Sequence, residues 1–176
     1  MKKIIALLLM ACLAFSFASC FAEEGKDDVQ TEKRNVISVE ITAENWNTYF
    51  ELKQEPWWQE NDFGEVDGIK VATVIKLRPE YYDRVAEESE IAFEVSGKVI
   101  FKHIDIDYSA KTYSFKESTG DYEYDFKETA SLALYENDYN CQAWIFAGYV
   151  SDLFQGVEVL ENAQVLRAKG TLYLYE

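Results

Sequence analysis

The thiol of Cys20 is the group whose position in this chain points most directly to a chemical modification. It follows a basic start, Lys2 and Lys3, and an uncharged, mainly apolar run over residues 4–18. That run is too short to span a bilayer comfortably and is typical of the apolar core of an export signal. Residues 1–19 are therefore predicted to be a signal peptide whose removal leaves Cys20 at the start of the exported chain.

The residues around this cleavage point resemble the lipobox of bacterial lipoproteins. Phe17-Ala18-Ser19-Cys20 has one bulky apolar residue and two small residues before the cysteine, with Phe17 in place of the usual aliphatic side chain. The resemblance implies that Cys20 is the lipid attachment site, carrying a diacylglycerol with fatty acids such as palmitate, and that these chains anchor the protein. The alternative is a secreted protein that is cleaved after Ala22.

A tether is predicted between this anchor and the folded domain. Residues 20–35 are rich in Glu, Asp and Lys and contain few apolar side chains. Such a segment buries too little surface to order itself. The folded domain is expected over residues 36–176, held in the cell envelope at the outer, extracytoplasmic face of a membrane.

The charge of the chain limits its partners. The sequence contains 17 Lys and Arg against 32 Asp and Glu; removal of Lys2 and Lys3 leaves 15 against 32, a formal charge of −17. Nucleic acid is not an expected partner, because its phosphates require a basic footprint. Anionic lipid headgroups would repel the domain, so its contact with the membrane is expected to run through the lipid anchor alone.

Two adjacent tryptophans are the candidate ligand contacts. Trp57 and Trp58 follow Pro56 in a segment that we predict to be a polar loop. Exposed aromatic rings can stack on a sugar or contact a partner protein. Because neighbours in an extended chain point to opposite sides, at most one of the two is expected to be exposed while the other closes the core.

The same segment contains a candidate calcium site. Asp62, Glu65 and Asp67 lie close together in sequence, beside Glu60 and Asn61. Calcium takes six to eight hard oxygen ligands, and loops rich in Asp and Asn can supply them, although the spacing is not that of an EF-hand. A solvated acidic surface is the alternative interpretation, and it favours an apo protein with no cofactor or metal.

Catalytic signals are weak. His103 is the only histidine and lacks a nucleophile motif, while Cys141 lies in a very apolar stretch that favours a buried, inert thiol. A cell-envelope hydrolase remains an alternative, because carboxylates that face each other across a cleft can cleave glycosidic bonds. The carboxylates considered are in two alternating rows: Asp105 and Asp107, and Asp121, Glu123 and Asp125.

The elements that position these residues are mainly strands. Apolar and polar residues alternate over most of residues 36–176, with an amphipathic helix expected at 43–50, a second short helix near 79–88 and a bulge near Lys102 and His103. Residues 141–150 are apolar at both odd and even positions, so both faces of this strand would be covered, which predicts a central strand. About seven to nine strands joined by short turns predict a single antiparallel β-sandwich of immunoglobulin-like architecture, with no disulfide.

The two ends of the domain resemble small uncharacterised lipoproteins and secreted β-rich domains of Gram-positive, gut-type bacteria. The likeness rests on I-T-x-x-N-W-x-x-Y-F from Ile41 to Phe50 and on R-x-x-G-T-x-Y from Arg167 to Tyr173. That resemblance implies no activity. The expected function is therefore a membrane-anchored, non-enzymatic binding module with an unknown ligand, alternatively a domain that recognises carbohydrate or peptide through exposed aromatic residues.

Overall fold

A computed structural model describes residues 34–136 and 141–176, with only the backbone described at 117–121. Residues 34–176 belong to one compact unit. Its elements, in chain order, are β1 (Val36–Ile41), α1 (Trp46–Tyr49), β2 (Phe50–Glu60), β3 (Val66–Leu77), a 3-10 helix (Pro79–Arg84), β4 (Ser89–Asp107), β5 (Thr112–Leu134), β6 (Gln142–Tyr149) and β7 (Gly156–Tyr175). No helix among these described residues is long and apolar enough to cross a membrane.

The strands form two antiparallel sheets. One sheet has four strands in the order β1-β7-β4-β5, and the other has three in the order β2-β3-β6. The described residues contain no disulfide. The predicted fold class is confirmed: the domain is a mostly β, antiparallel sandwich with two short helices.

The core lies between the two sheets. Phe93 of β4 meets Phe50 of β2 across the interface with their ring centroids 5.3 Å apart, and Trp46 of α1 packs on Phe93 at 6.4 Å. Phe50 and Phe93 are fully buried. Every second side chain of β4 from Ile91 to Val99 points toward the interior, which is why the alternation in the sequence was sufficient to identify this strand.

The bulge predicted near Lys102 and His103 is confirmed. The register of β4 against β5 shifts between Ile100 and Lys102 and again between Lys102 and Ile104. At each shift β5 passes through four residues while β4 passes through two, so the extra residues lie on β5. The side chain of Ile104 is buried.

The prediction of a loop around Trp57 and Trp58 is wrong. Strand β2 continues through both residues to Glu60, and the chain turns only at residues 61–65, where Gly64 has φ of 78°. Pro56 suggested a break, but β2 pairs with β3 alone and is an edge strand, where proline is tolerated.

The prediction of a central strand over residues 141–150 is also wrong. β6 is an edge strand, and β3 is the centre of its sheet. The apolar residues on the outer face of β6 are only partly covered, whereas β3 is buried over Val71–Ile75.

The helix expected at 43–50 is a single turn, because Asn45 ties the preceding turn by accepting from the Thr42 amide and donating to the Glu40 carbonyl.

Candidate functional site

Trp57, Trp144 and Tyr149 define an aromatic face on the outer side of the three-stranded sheet. The register places Trp57 opposite Lys70 and Lys70 opposite Tyr149. Trp144 lies opposite Val74, four residues further along β3 than Lys70. Directly paired residues share a face of a sheet, so these side chains project to the same side.

The rings of the aromatic face are close together and open to solvent. The centroids of Trp57 and Trp144 are 5.2 Å apart with an interplanar angle of 66°. Trp57 is 50% exposed, Trp144 38% and Tyr149 65%. The ammonium group of Lys70 lies 4.4 Å from the centre of the Tyr149 ring, a cation–π contact that fixes a positive charge beside the rings.

Small side chains separate the rings. Ala72 pairs with Ala147 in the row between the two tryptophans, and both Ala72 and Val74 are buried despite their outward parity. Their burial indicates that larger neighbouring side chains cover them. Because strands hold the rings, a ligand would bind with little loss of side-chain entropy.

Ion pairs border the aromatic face on the β2 side. A carboxylate oxygen of Glu55 lies 2.8 Å from the Lys53 ammonium and 2.6 Å from that of Lys76. Burial acts to raise the pKa of Glu55, but the hydrogen bonds from the two lysines outweigh it and lower that pKa. The Glu55 carboxylate also raises the pKa of Lys53, so these groups remain charged across the physiological range.

Trp58 is not part of the aromatic face. Its ring points away from Trp57 and meets the Tyr108 ring edge-on, with centroids 6.4 Å apart. Trp57 is exposed and Trp58 is half-buried, as the alternation of an extended chain predicts. The sequence did not identify Trp144, Tyr149 or Lys70 as part of a site. The only signal for two of them was a large side chain (Trp144) or a charged one (Lys70) at a position that alternation places on the outer side of its strand.

The calcium candidates do not form a site in the described structure. No group of three or more His, Cys, Asp or Glu residues among the described positions is arranged to hold a metal ion. Asp62, Glu65 and Asp67 lie at or beside the β2–β3 turn, and their carboxylates do not come together around one point. The Asn61 side-chain oxygen accepts hydrogen bonds from the Phe63 and Glu65 amides, both at 3.0 Å, so it is already used to shape this turn.

Three of the five carboxylates considered for hydrolysis are engaged individually. Asp105 pairs with Lys116 at 2.9 Å, and Glu123 pairs with Lys98 at 2.6 Å. The Asp107 carboxylate accepts from the Ser109 hydroxyl and from two backbone amides of the β4–β5 turn, which lowers its pKa. Asp105 also lines a concavity together with Tyr108 and Asp152, but Asp107, Glu123 and Asp125 do not line it. The side chain of Asp121 is outside the described part of the chain.

The remaining predicted residues have structural surroundings. His103 lies edge-on to Phe101, with ring centroids 5.6 Å apart, and pairs in register with Gly156. Cys141 directly precedes β6 and is partly buried against the main core. Cys20 lies outside the described residues.

The fold and this face define the protein as an antiparallel β-sandwich with an exposed, strand-borne aromatic surface. Comparison of the chain with known protein families, with curated proteins and with solved structures gives no match.

Proposed function

We propose that this protein is a non-enzymatic binding module, anchored at the outer face of a membrane by a lipid on Cys20, and that its ligand binds on the aromatic face. The single observation that carries the binding proposal is the exposed cluster of Trp57, Trp144 and Tyr149 on one sheet surface. Exposed tryptophan and tyrosine side chains that are held rigidly are characteristic of binding surfaces.

Carbohydrate is the ligand class that this surface favours. Rings on a sheet offer a broad apolar surface to the C–H face of a sugar ring, and Lys70 and the Glu55 ion pairs supply hydrogen-bonding groups for hydroxyls at its border. A shallow face of this kind suits a polymer that is gripped from one side. Glycans of the cell envelope are the polymers that an anchored domain would meet first.

We expect that the full-length protein binds soluble oligosaccharides, and that Trp57→Ala and Trp144→Ala each weaken binding at least tenfold, about 1.4 kcal/mol. The physical reason is that each substitution removes one stacking surface and leaves the other without its neighbour. Isothermal titration with a panel of peptidoglycan fragments and β-linked glucose and N-acetylglucosamine oligomers measures the effect.

Tyr124→Ala is the matched control for these variants, because Tyr124 is an exposed aromatic residue on β5 of the other sheet. It should bind as the wild type does. If no sugar binds, or if the Trp57 and Tyr124 variants lose affinity equally, the carbohydrate proposal is wrong.

The anchor is tested separately. Cys20→Ala removes the sulfur that would carry the lipid, so we expect the protein to leave the membrane fraction and appear in soluble fractions or the medium. Cys141→Ala keeps Cys20 and is the matched control, which should remain in the membrane fraction. Quantitative immunoblotting after high-speed sedimentation measures both, and full retention of the Cys20 variant in the pellet would contradict the anchor.

A further inference from the structure

Three turns meet at one end of the sandwich, which we name the loop end: residues 61–65, 108–111 and 151–155. The ammonium of Lys111 in the second turn lies 3.2 Å from a carboxylate oxygen of Glu60, at the base of the first. The amide of Ile104, near the second turn, donates to the Gln155 carbonyl of the third at 3.0 Å. Backbone and side-chain contacts thus join the turns into one surface.

The tips of two of these turns expose large apolar side chains. Phe63 is 89% exposed, Leu153 83% and Phe154 63%. Most of the surface of each of these side chains is therefore open to solvent. Single exposed apolar residues are ordinary, but three on turns that are joined by direct contacts are a candidate interaction site.

Negative charge surrounds the apolar tips. Asp62 and Glu65 flank Phe63, and Asp152 precedes Leu153. Burial raises the pKa of Tyr108 in the second turn, and the nearby carboxylates of Asp152 and Asp67 raise it further, which places both acids around the same turn. Two nearby cations are paired with carboxylates: Lys111 with Glu60 and Lys116 with Asp105.

The loop end is remote from the start of the folded domain. Strand β7 leaves the loop end at Gly156 and runs to Tyr175, which pairs with Val36. At roughly 3.3 Å per residue, a straight strand of this length would span at most about 60 Å, and the register shifts of β7 against β4 and the positive φ of Asn162 shorten that span. The loop end therefore lies at the opposite end of β7 from the residues that pair with β1.

We propose that the loop end is a docking surface for a cationic, amphipathic protein segment. Apolar side chains of the partner would pack against Phe63, Leu153 and Phe154, and its lysines or arginines would face Asp62, Glu65 and Asp152. Charge complementarity selects this occupant. A second copy of this chain brings the same acidic rim, and an anionic lipid surface is repelled by it.

The test uses the full-length protein and two synthetic 14-residue peptides, one alternating Lys and Leu and one alternating Glu and Leu. We expect the Lys/Leu peptide to bind and the Glu/Leu peptide not to bind in fluorescence anisotropy titrations. The double variant Phe63→Ser, Leu153→Ser should weaken binding at least tenfold. Both residues are almost fully exposed, so the variant should keep the wild-type melting temperature.

Site-specific docking must be separated from diffuse attraction to an acidic protein. The control is the double variant Tyr135→Ser, Leu166→Ser, which replaces two exposed side chains and should bind the peptide as the wild type does. Tyr135 follows Leu134, which pairs with Ser89 at the end of β4 opposite the loop end. Equal losses in the two double variants, or no binding of the Lys/Leu peptide, would overturn the proposal.

Two further measurements decide between occupants. Binding to vesicles of phosphatidylcholine and phosphatidylglycerol that is lost in the Phe63 and Leu153 variant would assign the surface to lipid and overturn the proposal. A dimer in sedimentation velocity that is lost in the same variant would assign it to a second copy, with the same consequence. Hydrogen exchange slowed by the Lys/Leu peptide at 61–65 and 151–155, with no change on β6, would support it.

Discussion

Replacing Phe93 with alanine is expected to lower the free energy of unfolding by about 3–5 kcal/mol. The ring is fully buried and bridges the two sheets, with its centroid 5.3 Å from Phe50 of the opposite sheet and 6.4 Å from Trp46 of α1. Its removal leaves a cavity at the place where the sheets hold each other, and neither sheet can close that cavity without moving its strands.

Urea denaturation followed by circular dichroism measures this loss. Phe154→Ala is the matched control, because Phe154 is 63% exposed in a turn, and its free energy of unfolding should remain within about 0.5 kcal/mol of the wild type. A loss below about 1 kcal/mol in the Phe93 variant would contradict the position of this ring at the centre of the interface.

The second large effect is expected from Gly148→Ala, which should lower the free energy of unfolding by about 2–3 kcal/mol. Gly148 lies on β6, and a Cβ added there would overlap the carbonyl oxygen of Glu158 on β7 and come within 3.1 Å of a Val157 methyl group. The obstacle is backbone, so relief requires the two sheets to separate locally.

The matched control for this glycine is Gly64. Its surroundings are open and its φ is 78°, so Gly64→Asn meets no neighbour and uses a residue that tolerates this conformation. Its free energy of unfolding should change by no more than about 0.5 kcal/mol. A Gly148 variant as stable as the Gly64 variant would show that β6 and β7 do not approach as closely as described.

The two proposed interaction surfaces have no residue in common. The aromatic face lies on the side of the three-stranded sheet, while the loop end lies where three turns meet. Substitutions at Phe63 and Leu153 should therefore leave saccharide binding unchanged, and substitutions at Trp57 should leave peptide binding unchanged. An anchored domain with both surfaces could hold an envelope polymer on one side and a protein partner beyond it.

Local signals in the sequence were enough for several features of the fold. Alternation over Ile91–Val99 identified β4 because the side-chain period of a strand is two, and the slip near Lys102 located the bulge for the same reason. Pro56 misled the reading of β2, because whether proline breaks a strand depends on whether a neighbour pairs with that edge.

The candidate site was only partly accessible in this way. Trp57 was identified from its residue type, and its exposure followed from alternation with Trp58. Trp144 and Tyr149 are separated from it by more than 80 positions along the chain and join it only through the register of β2, β3 and β6. Residues 141–150 looked like a central strand because the side chains on both of its faces are apolar, but one of these two sets of apolar side chains belongs to an exposed face.

The sequence by itself therefore determined the strand content, the acidic surface charge and the expectation of an export signal that ends at Cys20. These properties depend on composition and on neighbours within a few residues. The tertiary structure alone decided that β3 rather than β6 is central, that Trp57, Trp144 and Tyr149 share one surface, and that Phe63 and Leu153 lie at the same end. The physical reason is that strand order and register are set by contacts between distant segments, and alternation within one strand shows which side chains share a face but not which strand lies beside it.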